Sequence, residues 1–521
     1  MADLFASLTT PNGHSYSQPL GLFIGNEFVK GTSENPIKSI DPFTESEIAT
    51  VQAASAEDVD KAVKAAHAAL KTGPWKTLPG TERGILMNRL ADLMEKNKEL
   101  LATIDTWDNG KSGQIGRDIR YGRLNLTIDP GKPYKDALEG DLPEAIGTIR
   151  YYAGWADKIF GQTISTTSEK FAYTVRQPIG VVGQIIPWNY PLSMACWKLG
   201  PALACGNTVV LKAAEQTPLS VLVFAQLIKE VGFPPGVVNL INGYGKEAGV
   251  ALVEHPLVDK IAFTGSTSTA RQIMALAAKS LKNITLETGG KSPLLVFDDA
   301  DLDQAVKWSH FGIMSNKGEI CTATSRILVH QPIYAEFVEA FQQRVASTSV
   351  LGNPFDEATY QGPQVTKQQQ ERVKTFIDSA VSEGATVMAG GQKDLPGDKG
   401  YFVRPTVLTN VTDSMTVFRE EIFGPVVVIS SFDTEEEAVA RANSTTYGLG
   451  AAVFTRDLEK AHRVAGDIEA GMVWVNSSQD CDPRIPFGGV KQSGIGRELG
   501  EAGLEAYTQI KAVHINMGNR L

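Results

Sequence analysis

Two periods of hydrophobic and polar positions alternate through the middle of the chain. Short apolar runs rich in Val and Ile recur at 180–187 (GVVGQIIP), 207–213 (NTVVLKA), 236–243 (GVVNLING), 259–265 (DKIAFTG) and 283–287 (NITLE). Runs of that length, bounded by turn residues, read as buried strands. Between them lie helical patterns at 191–204, 217–232 and 267–281. Strand–helix alternation of this kind predicts a doubly wound parallel sheet with helices on both faces.

A second alternating set follows a junction near residue 290. Strands are predicted at 292–297, 325–330, 425–432, 449–455 and 471–476, and helices at 332–345, 366–384 and 434–443. The fold class is therefore α/β with two units. The final QIKAVHINMG (509–518) is a lone strand-like tail. A lone strand needs a partner sheet, such as one from another subunit.

Length and composition fit this picture. A chain of 521 residues exceeds what one hydrophobic core supports. With 42% hydrophobic and 21% charged residues it has an ordinary globular composition. A formal net charge of −10 argues against a nucleic-acid partner. No apolar run suits a membrane span. The opening MADLFASLTTPNGHSYSQP lacks the pattern of a signal or transit peptide, so a cytoplasmic location is expected. Four cysteines without a CxxC spacing fit a reducing compartment, and scattered histidines suggest no metal site.

Several short stretches carry candidate chemistry. In FTGST a strand ends in Gly265-Ser266 and a helix begins; free N–H groups and the positive helix end suit a pyrophosphate, although an ordinary strand–helix turn has the same look. In LKAAEQTP, Lys212 and Glu215 follow a strand. A carboxylate there can take hydrogen bonds from a ribose and repel a 2′-phosphate; a solvated strand end is the alternative. Glu287 ends a core-like strand before two glycines and can serve as a general base, or be an exposed loop acid. Asn189, after Trp188 in PWNYP, can donate to an oxyanion or simply form a turn before Pro191. Cys321 in GEIC is either a nucleophile or a small core residue.

Taken in order, PWNYP, LKAAEQTP, FTGST, LETGGKSP, GEIC, EEIFGPV and PFGGVKQSG resemble the aldehyde dehydrogenase superfamily over residues 20–518. The similarity is greatest to NAD-dependent, non-acylating members, fungal-looking and with some betaine-aldehyde-dehydrogenase-like features. The resemblance implies that Cys321 is the nucleophile, Glu287 the general base and Asn189 the oxyanion amide, with the Cys321 N–H beside it. It gives Lys198 a place near the base and its proton path. It implies an NAD site formed by Ile185, Pro187, Trp188, Lys212, Glu215, Gly265, Ser266, Glu421 and Phe423. It implies a substrate tunnel walled by Tyr190, Trp197, Ile320, Cys481 and Phe487. Two departures stand out: Glu319 where the family has Gln, and Thr288 where it has Leu. The expected reaction is oxidation of an aldehyde to its acid through a cysteine thiohemiacetal and thioester. The resemblance further implies an NAD-binding unit at 1–159 and 179–290, a catalytic unit at 291–492, and an oligomerisation element from 160–178 with 493–521, giving a homotetramer or homodimer. A CoA-acylating enzyme, a thioesterase and a non-enzymatic use of the fold are the rivals. Glu287 speaks against the first, the Lys212, Glu215 and Glu421 set against the second, and the intact Cys321, Glu287 and Asn189 against the third.

The dipeptide Gly-Lys occurs at 110–111 and again at 131–132. Deleting 112–132 would restore TWDNGKPYKDAL, the run the family usually has. We read the stretch as an in-frame insertion of the kind a translated intron produces; a functional insertion is the alternative.

Overall fold

The computed structural model describes residues 4–110, 134, 137–391, 397 and 399–521. The stretch 112–132 lies outside the described residues.

Two large sheets organise the chain. The first has eight strands. Its centre runs Asn283–Glu287, Lys260–Thr264, Val181–Ile185, Thr208–Lys212, Val238–Ile241, every neighbouring pair parallel. All of them but Asn283–Glu287, whose first residue is exposed, are buried on both faces, which is why they read as unbroken apolar runs. The earliest of the five, Val181–Ile185, lies between Thr208–Lys212 on one side and Lys260–Thr264 on the other. The strand order reverses there, and in open α/β sheets a ligand crevice forms at such a point, outside the carboxyl ends of the strands. Trp188, Asn189, Gly265 and Ser266 all follow those ends.

The second sheet has seven strands. Thr406–Thr409, Val426–Phe432, Arg326–His330, Pro293–Val296, Gly450–Phe454 and Met472–Val475 are parallel neighbours in that order. Thr386–Ala389 adds antiparallel at the edge. Every strand predicted in both sets is present within two residues of its expected limits.

The tail strand Thr508–Asn516 finds its partner within the chain. It pairs antiparallel with Lys170–Pro178 over nine residues, and Thr163–Ile164 completes a three-stranded sheet. Thr508–Asn516 is the edge of that sheet, with Ile510 and Ile515 exposed. Before reaching it, the chain passes back to the first sheet, where Gly494–Ile495 pairs beside Glu287. Two N-terminal hairpins, Phe5–Thr9 with Ser15–Pro19 and Ile37–Ile40 with Glu47–Val51, were not expected from the pattern.

Candidate active site

A cavity of about 1640 Å³ opens between the two sheets at the crevice. Pro187, Trp188, Asn189, Tyr190, Trp197, Gly265, Ser266, Glu287, Ile320, Cys321, Glu421, Phe423, Cys481 and Phe487 all line it. Four of the expected residues are not among those that line it: Ile185, Lys198, Lys212 and Glu215. Residues scattered over three hundred positions thus meet in one place.

Cys321 follows a strained turn. Asn316, Lys317 and Gly318 have successive φ values of 42°, 58° and 71°. Left-handed residues that are not glycine cost energy and persist only where their surroundings hold them. Gly318 has no alternative, because a Cβ would stand 2.1 Å from the Gly424 carbonyl oxygen. The turn presents the half-buried thiol to the cavity. Burial pushes the Cys321 thiol up, and the Glu421, Glu287 and Cys481 side chains add to this; the Thr322 N–H opposes them. Beside it, the Asn189 amide donates to the Glu319 carbonyl at 2.9 Å, which fixes its orientation. Asn316 donates to the same carbonyl at 3.2 Å and to the Asn189 carbonyl at 3.3 Å. One amide hydrogen of Asn189 remains for an oxyanion.

Glu287 is 2% exposed. Neither of its carboxyl oxygens has a hydrogen-bond partner among the described residues. Gly488 makes room for it, since a Cβ there would lie 2.6 Å from Glu287 Oε1. Burial and then the charge of Glu498 raise its carboxyl well above the usual carboxylate range, against the pull of Lys198 and Arg497. Lys198 does not reach the cavity. Its Nζ donates to Thr264 Oγ1 at 2.6 Å and pairs with Glu498, both partners being buried.

The crevice end of the cavity has the features of a nucleotide site. Ser266 caps the twelve-residue helix Thr267–Ala278, accepting from the Thr269 N–H at 3.2 Å. The helix N-terminus faces the cavity and suits an anion. Trp188 and Phe423 meet edge to face at 5.3 Å across the opening. Glu421 accepts from the Gly290 N–H at 2.9 Å, and a Cβ on Gly289 would fall 2.3 Å from its Oε2. Burial pushes the Glu421 carboxyl up to about 7. Lys212 is buried at the strand end, 3.4 Å from the half-exposed Glu215. At the other end, Trp197 stacks edge to face on Phe487 at 4.8 Å and donates to Glu144 at 2.5 Å.

Both departures from the family pattern have partners. Glu319 forms an ion pair with Lys317 at 2.9 Å, both fully buried, and accepts from the Val365 N–H at 3.2 Å. Thr288 donates its hydroxyl to the Gln492 carbonyl at 2.6 Å. The sequence reading missed Glu498, Glu144 and Lys317. For Glu498 a signal exists in the glycines of 488–500, which mark close backbone approach around one acid.

Comparison with known proteins bears on the family and the fold. The model of the aldehyde dehydrogenase family matches residues 28–121 and 123–513. The aldehyde dehydrogenase of Emericella nidulans is 52% identical over 522 residues, covering 100% of each chain. Among solved structures, the NAD+ complex of an aldehyde dehydrogenase from Bacillus cereus superposes with a TM-score of 0.90 at 47% identity, covering 96% of this chain and 97% of its own. The betaine aldehyde dehydrogenase of Staphylococcus aureus in complex with NAD+ gives a TM-score of 0.91 at 38% identity, covering 97% and 96%.

Proposed function

The chain belongs to the aldehyde dehydrogenase family, and from that premise we propose that it oxidises an aldehyde to its carboxylic acid with NAD, through a thioester on Cys321 that Glu287 helps to hydrolyse. The observation that carries this reading is the meeting of Cys321, Asn189 and Glu287 on one cavity wall, next to a crevice built for a dinucleotide.

The residues fit NAD. The capped helix at Ser266 suits the pyrophosphate, and Lys212, Glu215 and Glu421 suit the two riboses. Trp188 and Phe423 frame the cleft, with Ile185 and Pro187 beneath. When bound, NAD supplies the hydride acceptor.

Once its thiol has given up its proton, Cys321 attacks the aldehyde carbon as thiolate, and the thiohemiacetal oxygen accepts a hydrogen bond from the amide N–H that Asn189 holds free. A fixed donor at such an oxygen is worth about 3–4 kcal/mol. The Cys321 N–H is its second donor. Loss of hydride leaves a thioester. Glu287, which lines the cavity and has a raised carboxyl pKa, takes a proton from water as that water attacks. Hydrolysis at this point is what separates the reading from acyl transfer to CoA. Tyr190, Trp197, Ile320, Cys481 and Phe487 form an apolar, aromatic passage that suits an alkyl or aryl aldehyde.

We assign the oligomerisation element to the sheet of Lys170–Pro178 and Thr508–Asn516, whose open edge and exposed Ile510 and Ile515 suit pairing with a second copy, as a dimer or tetramer. Among the described residues no helix is long and apolar enough to cross a membrane, and a cytoplasmic location is our reading.

Mixing the protein with NAD and acetaldehyde while following NADH absorbance tests the activity. Cys321→Ser should lower turnover roughly 10³-fold or more while NAD binding persists, because a serine alkoxide is far harder to form. Near-normal turnover in that variant removes Cys321 from the chemistry.

A further inference from the structure

The amide of Asn189 belongs to a closed ring of contacts. Asn109, the last residue of the helix Lys98–Asn109, donates its side-chain amide to the Trp188 carbonyl at 2.5 Å. That carbonyl is part of the peptide group leading into Asn189. Asn189 in turn donates to the Glu319 carbonyl at 2.9 Å. The Glu319 carboxylate pairs with Lys317 at 2.9 Å. Lys317 returns to the start: its Nζ donates to the Asn109 carbonyl at 2.8 Å and to Asn109 Oδ1 at 3.1 Å.

Trp188 and Asn189 line the cavity, and Cys321 follows Glu319 by two residues. Asn109, Lys317 and Glu319 are fully buried and are not among the lining residues. The ring therefore joins the two sides of the reacting centre from behind.

Asn109 closes it with chemistry that few side chains have. It meets an ammonium, which only donates, and a carbonyl, which only accepts. A short side chain between them has to accept on one atom and donate from another. Asparagine does both. An ionised aspartate only accepts, and alanine does neither. Burial makes each unmet partner costly.

Other holds on the Trp188–Asn189 peptide are longer. The Thr217 hydroxyl donates to the Trp188 carbonyl at 3.4 Å, and Asn316 donates to the Asn189 carbonyl at 3.3 Å. Asn109 thus holds the main chain before residue 189, while Glu319 holds its side chain, and Lys317 links the two anchors. A donor serves an oxyanion only where its hydrogen already stands in place. A displacement of about 1 Å costs on the order of 10²-fold in rate.

We propose that Asn109 is a positioning residue for the oxyanion amide: it fixes the Trp188–Asn189 peptide against the turn that carries Cys321, and so keeps the free Asn189 hydrogen where the thiohemiacetal oxygen forms. The proposal rests on Asn189 being the oxyanion donor.

Rapid mixing with acetaldehyde at saturating NAD, following the first turnover's NADH, tests this. The proteins are wild type, Asn109→Asp, Asn109→Ala, Asn189→Ala and the double variant Asn109→Asp/Asn189→Ala. Asn189→Ala should slow the first turnover roughly 10²–10³-fold. Asn109→Asp keeps the size and the acceptors for Lys317 but cannot donate to Trp188. It should slow the first turnover about tenfold, as should Asn109→Ala. In the Asn189→Ala background, Asn109→Asp should cost no more than about twofold, because the hydrogen it positions is gone. A merely structural role would repeat the full loss in both backgrounds, and that result overturns the proposal. So does a wild-type first turnover in Asn109→Asp, whose unchanged size decides the matter if the alanine variant fails to fold. A wild-type rate in Asn189→Ala overturns the oxyanion reading, and the proposal with it. A wild type that makes no NADH overturns the aldehyde-oxidising reading itself.

Discussion

At the scale of single residues, the proposed hydrolysis makes release of the acid depend on Glu287. Its raised carboxyl pKa keeps it protonated at pH values where an ordinary Glu is ionised. A base acts only when ionised. Steady turnover should therefore fall as pH drops, and should do so well above the usual carboxylate range. Glu287→Gln should form the first equivalent of NADH at a near-normal rate and then slow by on the order of 10²-fold. Rapid-quench measurement separates the phases, and equal loss in both would end the case for a hydrolytic base. Glu215 acts at the same scale. In the proposed NAD site a 2′-phosphate would place like charge beside its carboxylate. NAD should be preferred over NADP by roughly tenfold or more, the factor that about 1.4 kcal/mol gives. Comparison of kcat/KM for the two cofactors checks this, and Glu215→Gln should narrow the gap.

At the scale of an element, the turn before Cys321 depends on a buried ion pair that no pattern in the chain marks. Lys317 donates to the Asn109 carbonyl at 2.8 Å and pairs with Glu319, whose own carbonyl holds Asn189. Removing one partner of a fully buried pair strands the other charge, at a cost of about 3–5 kcal/mol. Glu319→Gln installs the residue the family usually has, yet it should lower stability by about that amount. Adding Lys317→Met should recover most of the loss, because no charge is then stranded. Chemical denaturation of the two single variants and the double variant measures the coupling; additive losses would mean that the pair does not act as a unit. The strands of both sheets were legible because burial on both faces writes Val and Ile runs into the chain. Cys321, Glu287 and Asn189 were legible as candidates because each ends or follows such a run. Glu498 and Lys317 were not: they sit in irregular segments, and their partners lie 300 and 2 residues away with no period to mark them. The N-terminal hairpins escaped for a related reason. Their strands are four or five residues long and partly exposed, so hydrophobic alternation is too short to register.

At the scale of the whole molecule, the described chain on both sides of 112–132 docks against one loop. The helix Lys98–Asn109 ends at Gly110 in the left-handed conformation, with φ 68°. A Cβ on Gly110 would stand 3.1 Å from Pro363, so this end is packed tightly. On the far side, the Tyr134 N–H donates to the Pro354 carbonyl at 3.2 Å, and its ring lies 6.3 Å from Phe355. The Tyr134 hydroxyl donates to the Glu99 carbonyl at 3.4 Å, on the same helix that Gly110 terminates. Gly362 closes the gap between these anchors: a Cβ there would sit 2.3 Å from the Gly110 oxygen and 3.2 Å from Pro354. Two residues, Lys111 and Pro133, would remain between Gly110 and Tyr134 after deletion, and three peptide steps span about 10 Å. The match to the family also breaks inside this stretch, at residue 122. An enzyme lacking Ser112–Lys132 should keep both anchors and lose only the entropy cost of closing a longer loop, which is on the order of 1 kcal/mol. We expect its melting temperature to equal or exceed that of the full chain, and its turnover of acetaldehyde to be at least as high. Differential scanning calorimetry and NADH formation on the two proteins decide the matter, together with sequencing of the mature transcript. A lower melting temperature or lower turnover in the shortened enzyme, with the segment retained in most transcripts, would make 112–132 a working part of the molecule.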